Sequence, residues 1–116
     1  DGALTLTNSD SGKLYVLGTT GGAITFPMTA GWNAEFLVTG SISADYTLSG
    51  SAQAAGQSVT GSFRIVAEDG APTGVAEGAA ASGIIKFESD DAEEGDIIKI
   101  NVLSSTRVHG LGICST

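Results

Sequence analysis

Short segments in which apolar and polar residues alternate recur along the whole chain. In the segment Asp96 to Leu103, the alternate positions Ile98, Ile100 and Val102 are apolar, whereas Lys99 between them is charged, as expected for a strand with one buried face. Other strand-like segments, several of which show the same alternation, are Ala3 to Thr7, Lys13 to Leu17, Ala23 to Phe26, Ala34 to Thr39, Asp45 to Leu48, Ser58 to Val66, Ile84 to Glu88 and Thr106 to Ile113. About eight to nine short strands at a spacing of roughly 8–12 residues predict an all-β fold, an antiparallel β-sandwich or barrel without substantial helix.

Turn-forming residues separate these segments. Gly, Asn, Asp and Ser are concentrated in Asn8 to Gly12 and in Gly18 to Gly22, which favours hairpins or loops there. Pro27 is expected to end the strand before it, because proline cannot donate to a β-ladder. The Ala- and Gly-rich stretch Ala71 to Gly83 has no clear apolar period and is predicted to be a long surface loop, with Ser49 to Gly56 as a second excursion.

Length and composition indicate a single domain that covers residues 1–116. A chain of 116 residues is long enough for one modest core, and roughly 65% of the surface of its unfolded chain should become buried. The 41% hydrophobic content argues against disorder, and the 17 glycines favour short elements with many turns. The chain begins at Asp1 without Met, so we expect a processed or incomplete gene product.

The net charge argues against nucleic acid as a partner, and the lack of a long apolar run argues against a membrane. Thirteen acidic and five basic residues give a net charge of −8, which would repel the phosphates of nucleic acids. The sequence contains no apolar run near the ~20 residues needed to span a membrane and no pattern typical of a signal peptide. We therefore expect a soluble protein that binds neither nucleic acid nor membrane.

The sequence predicts no enzyme, metal site or cofactor. His109 is the only histidine, so a metal site that needs two histidines is impossible. A Ser-His-Asp triad could use only His109, and no Gly-x-Ser-x-Gly motif accompanies the serines. A histidine at the surface or in an interface is the favoured interpretation.

Three other features each allow two interpretations. The acidic run Glu88 to Asp96 has six carboxylates; it could bind Ca²⁺, but its spacing does not match a dedicated loop, which favours a solvated connection. Trp32 could be an exposed platform for a sugar, although a core or interface residue is favoured. Cys114 is the only cysteine; it could pair between chains, but a buried reduced thiol is favoured.

Several segments resemble a family of small β-domains in tailed-phage virions. Leu4 to Leu17, followed by Ala23 to Pro27 and Gly31 to Phe36, is similar to the opening of domains found in capsid decoration proteins and head or tail fibre proteins. Gly95 to Ile100 is similar to the family's closing strand. The chain departs from the family pattern at Ser104 to Gly110, where the family often has an Asp-Gly turn followed by Trp-Tyr-Val.

This resemblance implies a non-enzymatic structural protein of the virion. Family members are commonly homotrimers on the outer capsid surface, where they bind neighbouring subunits of the major capsid protein and stabilise the mature head. Such a protein would be made in the host cytoplasm. The alternative is a receptor- or carbohydrate-binding module of a head or tail fibre.

The resemblance also points to contact residues. An extended N-terminal arm, Asp1 to Thr7, could add a strand to the edge of a capsid sheet. The divergent C-terminal hairpin is expected to carry the specificity of this particular protein. The candidate partner-binding residues are Leu4, Leu6, Trp32, Arg107 and His109.

Overall fold

The computed structural model describes residues 3–51, 59–67, 74–77, 84–89 and 91–114. Within these ranges no helix is long and apolar enough to cross a membrane. A 3₁₀ helix covers Asn8–Asp10. The strands are β1 (Leu4–Thr5), β2 (Lys13–Leu17), β3 (Gly22–Phe26), β4 (Asn33–Val38), β5 (Tyr46–Gly50), β6 (Thr60–Ala67), β7 (Val75–Glu77), β8 (Ile84–Phe87), β9 (Ile97–Ser104) and β10 (Arg107–Cys114).

The all-β prediction is confirmed, and the strands form two sheets of five. Sheet I has the order β1-β3-β5-β8-β7, and sheet II has the order β2-β4-β9-β10-β6. Apolar side chains from both sheets form one buried cluster. Each of the nine predicted segments matches one strand with ends that differ by at most two residues, because period-two alternation is the signal that a half-buried strand leaves in a sequence.

The predicted antiparallel pairing is only partly correct, because both sheets are mixed. The first five strands alternate between sheet I and sheet II. Two successive strands of the same sheet are therefore separated by one strand of the other sheet and run in the same direction. As a result β1 and β5 flank β3 in parallel, and β2 pairs with β4 in parallel. The later strands β8, β9 and β10 supply antiparallel pairs. The barrel alternative is wrong, since each sheet ends in its own edge strands instead of closing.

Strand β7 lies inside the stretch that was predicted to be a loop. It pairs antiparallel with β8, which places Val75 opposite Phe87, and Val75 is buried. Three residues are too few to show an alternating pattern, which explains why the sequence did not reveal this strand. Residues 71–73 and 78–83 of the first predicted loop and residues 52–56 of the second lie outside the described residues, while Ser49 and Gly50 of the second belong to β5.

The core is built from the inward side chains of both sheets. Tyr15, Phe36 and Ile98 stand in register across β2, β4 and β9, and the rings of Tyr15 and Phe36 stack with their centroids 5.4 Å apart. Full burial of a side chain such as Phe36 or Ile98 contributes about 1.5–3 kcal/mol. Cys114 is also buried, so the predicted buried thiol is confirmed.

The described part of the predicted N-terminal arm lies in the sandwich. Strand β1 pairs with β3, and the side chain of Leu6 is buried. The indole Nε1 of Trp32 donates a hydrogen bond to the carbonyl oxygen of Thr7 at 3.0 Å. The Trp32 ring also stacks on Phe26 at 5.8 Å between centroids. Residues 3–7 are therefore fixed to the domain, while residues 1–2 lie outside the described residues.

The predicted turn before β2 is fixed by Asp10. Its carboxylate accepts hydrogen bonds from the backbone N–H of Thr7 at 2.8 Å and from Lys13 Nζ at 3.1 Å. The bond from Thr7, followed by the contact with Lys13, lowers the pKa of Asp10 to about 2. Gly12 then adopts a φ of 83°, a conformation that glycine accepts without strain.

Candidate partner-binding surface

The outer face of sheet II carries a continuous row of apolar residues. The register aligns one apolar side chain from each of the five strands across the sheet. In spatial order this apolar row consists of Val16, Leu37, Ile97, Ile113 and Val66. Val16 is 63% exposed, Val66 44% and Ile113 42%. Single exposed apolar residues are ordinary, whereas a contiguous set of this kind is typical of an interaction surface.

The charged groups on this face are mainly basic. Arg64, Lys99 and Arg107 lie here, three of the five basic residues of a chain whose net charge is −8. Lys99 Nζ lies 3.5 Å from Glu35 Oε1. Among the described residues no carboxylate forms an ion pair with Arg64 or Arg107. Two guanidinium groups are therefore available to an acidic partner.

A groove of about 460 Å³ lies on this face along β6 and β10. Its position follows from the parallel register, which places His109 opposite Ser62 and Leu111 opposite Arg64. The groove is lined by Arg64, Val66, His109, Leu111 and Ile113. Its basic groups adjoin apolar walls, an arrangement that can hold an anionic group together with an apolar neighbour.

The inner face of β10 keeps this strand close to the core. Gly110 and Gly112 point inward, between the outward residues that line the groove. A Cβ atom on Gly110 would lie 2.5 Å from Cδ1 of Phe63, and one on Gly112 would lie 2.7 Å from Cγ1 of Val75. These glycines therefore leave space for the ring of Phe63 on sheet II and for the side chain of Val75 on sheet I, so that β10 can pack closely against both.

The acidic run connects β8 with β9 at the end of sheet II nearest the apolar row. Asp96 is buried, and its Oδ2 accepts a hydrogen bond from the backbone N–H of Glu93 at 2.9 Å. Asp90 lies outside the described residues. Among the residues that are described, no group of three His, Cys, Asp or Glu side chains could hold a metal ion. The calcium hypothesis thus gains no support, and at least one carboxylate of the run shapes the loop instead.

Lys86 and its partners stand on the other sheet. Lys86 Nζ lies 3.4 Å from Glu88 Oε1 and 3.6 Å from Asp45 Oδ2. The Glu88 carboxylate is the main cause of the raised pKa of Lys86. The backbone N–H of Ser89, which donates to Asp45 Oδ1 at 2.7 Å, is the main cause of the lowered pKa of Asp45. This basic group has acidic partners, whereas Arg64 and Arg107 have none within the described part of the chain.

The five residues that the sequence suggested for partner binding differ in exposure and do not lie on one surface. Arg107 and His109 are exposed together on the outer face of β10, whereas Leu4 is half-buried on β1. Leu6 and Trp32 are buried, so their side chains are not accessible to a partner in this structure.

Sequence reasoning missed Arg64, Val66 and Val16 as members of this surface. Alternation within the predicted segment Ser58 to Val66 does indicate that Arg64 and Val66 share one face. It does not show that this face continues into β10, because that adjacency depends on the long-range pairing of β6 with β10.

The surface defined by the apolar row, the groove and the guanidinium groups of Arg64 and Arg107 is suited to protein binding through apolar contact and charge. Its geometry and the sequence resemblance are the grounds for a functional assignment. Comparison of the chain with protein-family models, with curated proteins and with solved structures finds no match.

Proposed function

We propose that the chain is a non-enzymatic structural protein of a tailed-phage virion, a capsid decoration protein on the outer surface of the mature head. It binds the major capsid protein as a homotrimer and stabilises contacts between neighbouring capsid subunits. The three segments Leu4 to Leu17, Ala23 to Pro27 and Gly95 to Ile100 support the assignment to phage virions. The outer face of sheet II supports a binding role.

The apolar row is the observation that carries the proposal. Val16, Ile113 and Val66 are each exposed by more than 40% in the isolated chain. Covering apolar surface contributes roughly 25 cal/mol per Å². A partner that covers the row therefore gains affinity from every one of the five strands. Because a decoration protein binds the assembled head in preference to free subunits, mass action then stabilises the head.

The charge on this face favours an acidic partner surface. Arg64 and Arg107 have no ion-pair partner among the described residues, and the remaining surface of the chain is strongly acidic overall. Complementary charge orients two proteins and speeds their association. We expect the capsid to present carboxylates to the outer face of sheet II.

The alternative, a receptor- or carbohydrate-binding fibre module, was suggested by Trp32 and by the sandwich pattern. The Trp32 side chain is only 2% exposed and stacks on Phe26. A buried indole offers no face to a sugar ring, so the structure does not support sugar binding through Trp32.

Sedimentation with phage heads that lack the protein tests the proposal. Labelled wild-type protein should bind saturably, at a copy number comparable to that of the major capsid protein. Ile113→Glu places a carboxylate in the apolar row and should weaken binding by more than about tenfold, since an interface rarely tolerates a buried unpaired charge. Thr25→Glu is the matched control, because Thr25 lies on the outer face of sheet I.

Circular dichroism should show that both variants are folded before their binding is compared. Failure of the wild-type protein to bind the heads would refute a decoration role. Equal binding by the two variants would show that the outer face of sheet II does not contact the capsid. Only a few copies per particle would indicate a fibre component.

A further inference from the structure

We infer that the groove along β6 and β10 binds an extended segment of the partner protein in which an acidic residue lies two positions from an apolar residue. The inference rests on the proposed function, because it assigns a partner chemistry to the same face. It is carried by the charge, the shape and the register of the groove.

The basic end of the groove selects a carboxylate. Arg64 and His109 are diagonal neighbours across the β6–β10 pair, with their Cα atoms roughly 8 Å apart by strand geometry. Among the residues that the structure describes, no carboxylate lines the groove and none forms an ion pair with Arg64. A guanidinium group binds a carboxylate through two parallel hydrogen bonds.

The apolar end of the groove sets the second requirement. Val66 and Ile113 stand side by side in the apolar row, and Leu111 lies between Ile113 and His109 on the outer face of β10. Both row residues are more than 40% exposed. An apolar side chain laid between Val66 and Ile113 would therefore remove apolar surface of both partners from water.

The register fixes the distance between the two requirements. Arg64 and Val66 are two residues apart on β6 and point to the same side of the sheet. In an extended segment, residues two positions apart also share one face and lie about 6.6 Å apart. A segment that runs along β6 can thus place a Glu or Asp at Arg64 and an apolar residue at Val66 simultaneously.

An NMR titration of the full ¹⁵N-labelled chain with capped heptapeptides tests the inference. The probe Ser-Leu-Thr-Glu-Thr-Leu-Ser offers Leu on both sides of Glu at the required spacing. One control replaces Glu by Gln. A second control, Ser-Thr-Leu-Glu-Leu-Thr-Ser, keeps the composition but places Leu next to Glu.

We expect the probe to shift the amide signals of β6 and β10. It should bind about two- to fivefold more tightly than either control. For the Gln control this is the range expected for the loss of a solvent-accessible ion pair. Arg64→Gln should abolish the preference for Glu over Gln. Arg107→Gln makes the same charge change outside the groove and should preserve it.

Equal affinity for the three peptides, shifts centred away from β6 and β10, or no shifts at all would overturn the inference. So would a preference for octanoate over the probe, which would indicate a lipid-like ligand. Head binding separates the two proposals. Retained binding to heads with no peptide preference refutes only the groove assignment, whereas a peptide preference without binding to heads refutes only the decoration role.

Discussion

The two outer faces of the sandwich differ in chemistry although both sheets contribute to the same core. On sheet I the register aligns Thr5, Thr25 and Ser49 in one row that ends at Ile84. On sheet II a corresponding row is apolar in all five strands. The basic residue of sheet I, Lys86, is paired with carboxylates, whereas sheet II presents arginines without such partners among the described residues.

This difference separates what folding requires from what binding requires. Threonine and serine on sheet I show that a strand of this fold can present small polar side chains to water, and threonine suits a pleated surface as well as valine does. Val16 and Val66 are therefore not needed on the outer face for strand formation. Their alignment with Ile113 favours a surface that a partner covers.

The largest effect on stability is expected on the inner face of β10. Gly112→Ala should lower the free energy of unfolding by about 1–3 kcal/mol, because the added methyl group meets Val75 of sheet I and overpacks the core. Ile113→Ala, on the adjacent outward position, should lower it by about 1 kcal/mol or less. Urea unfolding of both variants measures the two changes. A larger loss in Ile113→Ala would mean that the apolar row serves folding and not binding.

Placing a polar residue on the outer face of sheet II, or an apolar residue on that of sheet I, should change the free energy of unfolding less than Gly112→Ala does. Val16→Thr on sheet II and Thr25→Val on sheet I should each change the free energy of unfolding by less than about 0.5 kcal/mol, as is usual for surface positions. Val16→Thr should weaken head binding by about threefold, since it removes part of the apolar contact, and Thr25→Val should leave it unchanged.

Sedimentation at several protein concentrations gives both affinities. If Thr25→Val strengthened binding as much as Val16→Thr weakened it, both faces would contribute to attachment and the proposed asymmetry would be wrong.

Much of the fold could be predicted because alternation is a local signal. Lys13 to Leu17 does not alternate, yet it was predicted with both ends correct, since a run of four apolar residues with a turn on either side defines it. The direction of pairing could not be predicted, because an alternating strand has the same pattern whichever way its neighbour runs. The parallel pairing of β2 with β4 follows from a long-range winding of the chain between the sheets.

The binding surface was less predictable than the fold for the same reason. His109 was predicted to lie at the surface or in an interface, and the structure exposes it in the isolated chain. Trp32 was suggested as a contact residue, but Phe26 and the Thr7 carbonyl hold it in the core. The groove needs Arg64 beside Leu111, residues 47 positions apart that only the register brings together.

The smallest expected effect is on the free energy of unfolding at acidic pH. It compares Asp10, in the turn before β2, with Asp45, in the turn before β5. Asp10 at the edge of sheet II has a pKa lowered to about 2 from an ordinary value of 3.8. Its contribution to stability is therefore complete above the unfolded value and is lost as the pH falls from about 3.8 through about 2. Asp45, before the central strand of sheet I, also has a lowered pKa and contributes in the same direction.

Urea unfolding at a series of acidic pH values should show a shallower loss of stability in Asp10→Asn than in the wild-type chain. Asp45→Asn should also flatten the curve, and it should lower stability more at neutral pH because Asp45 holds the N–H of Ser89 beside the middle of a sheet. An unchanged acid slope in Asp10→Asn would show that its carboxylate is not bound by Thr7 and Lys13 in solution. The edge of sheet II would then be less ordered than the centre of sheet I, and the difference between the two sheets would extend from their surfaces to their stability.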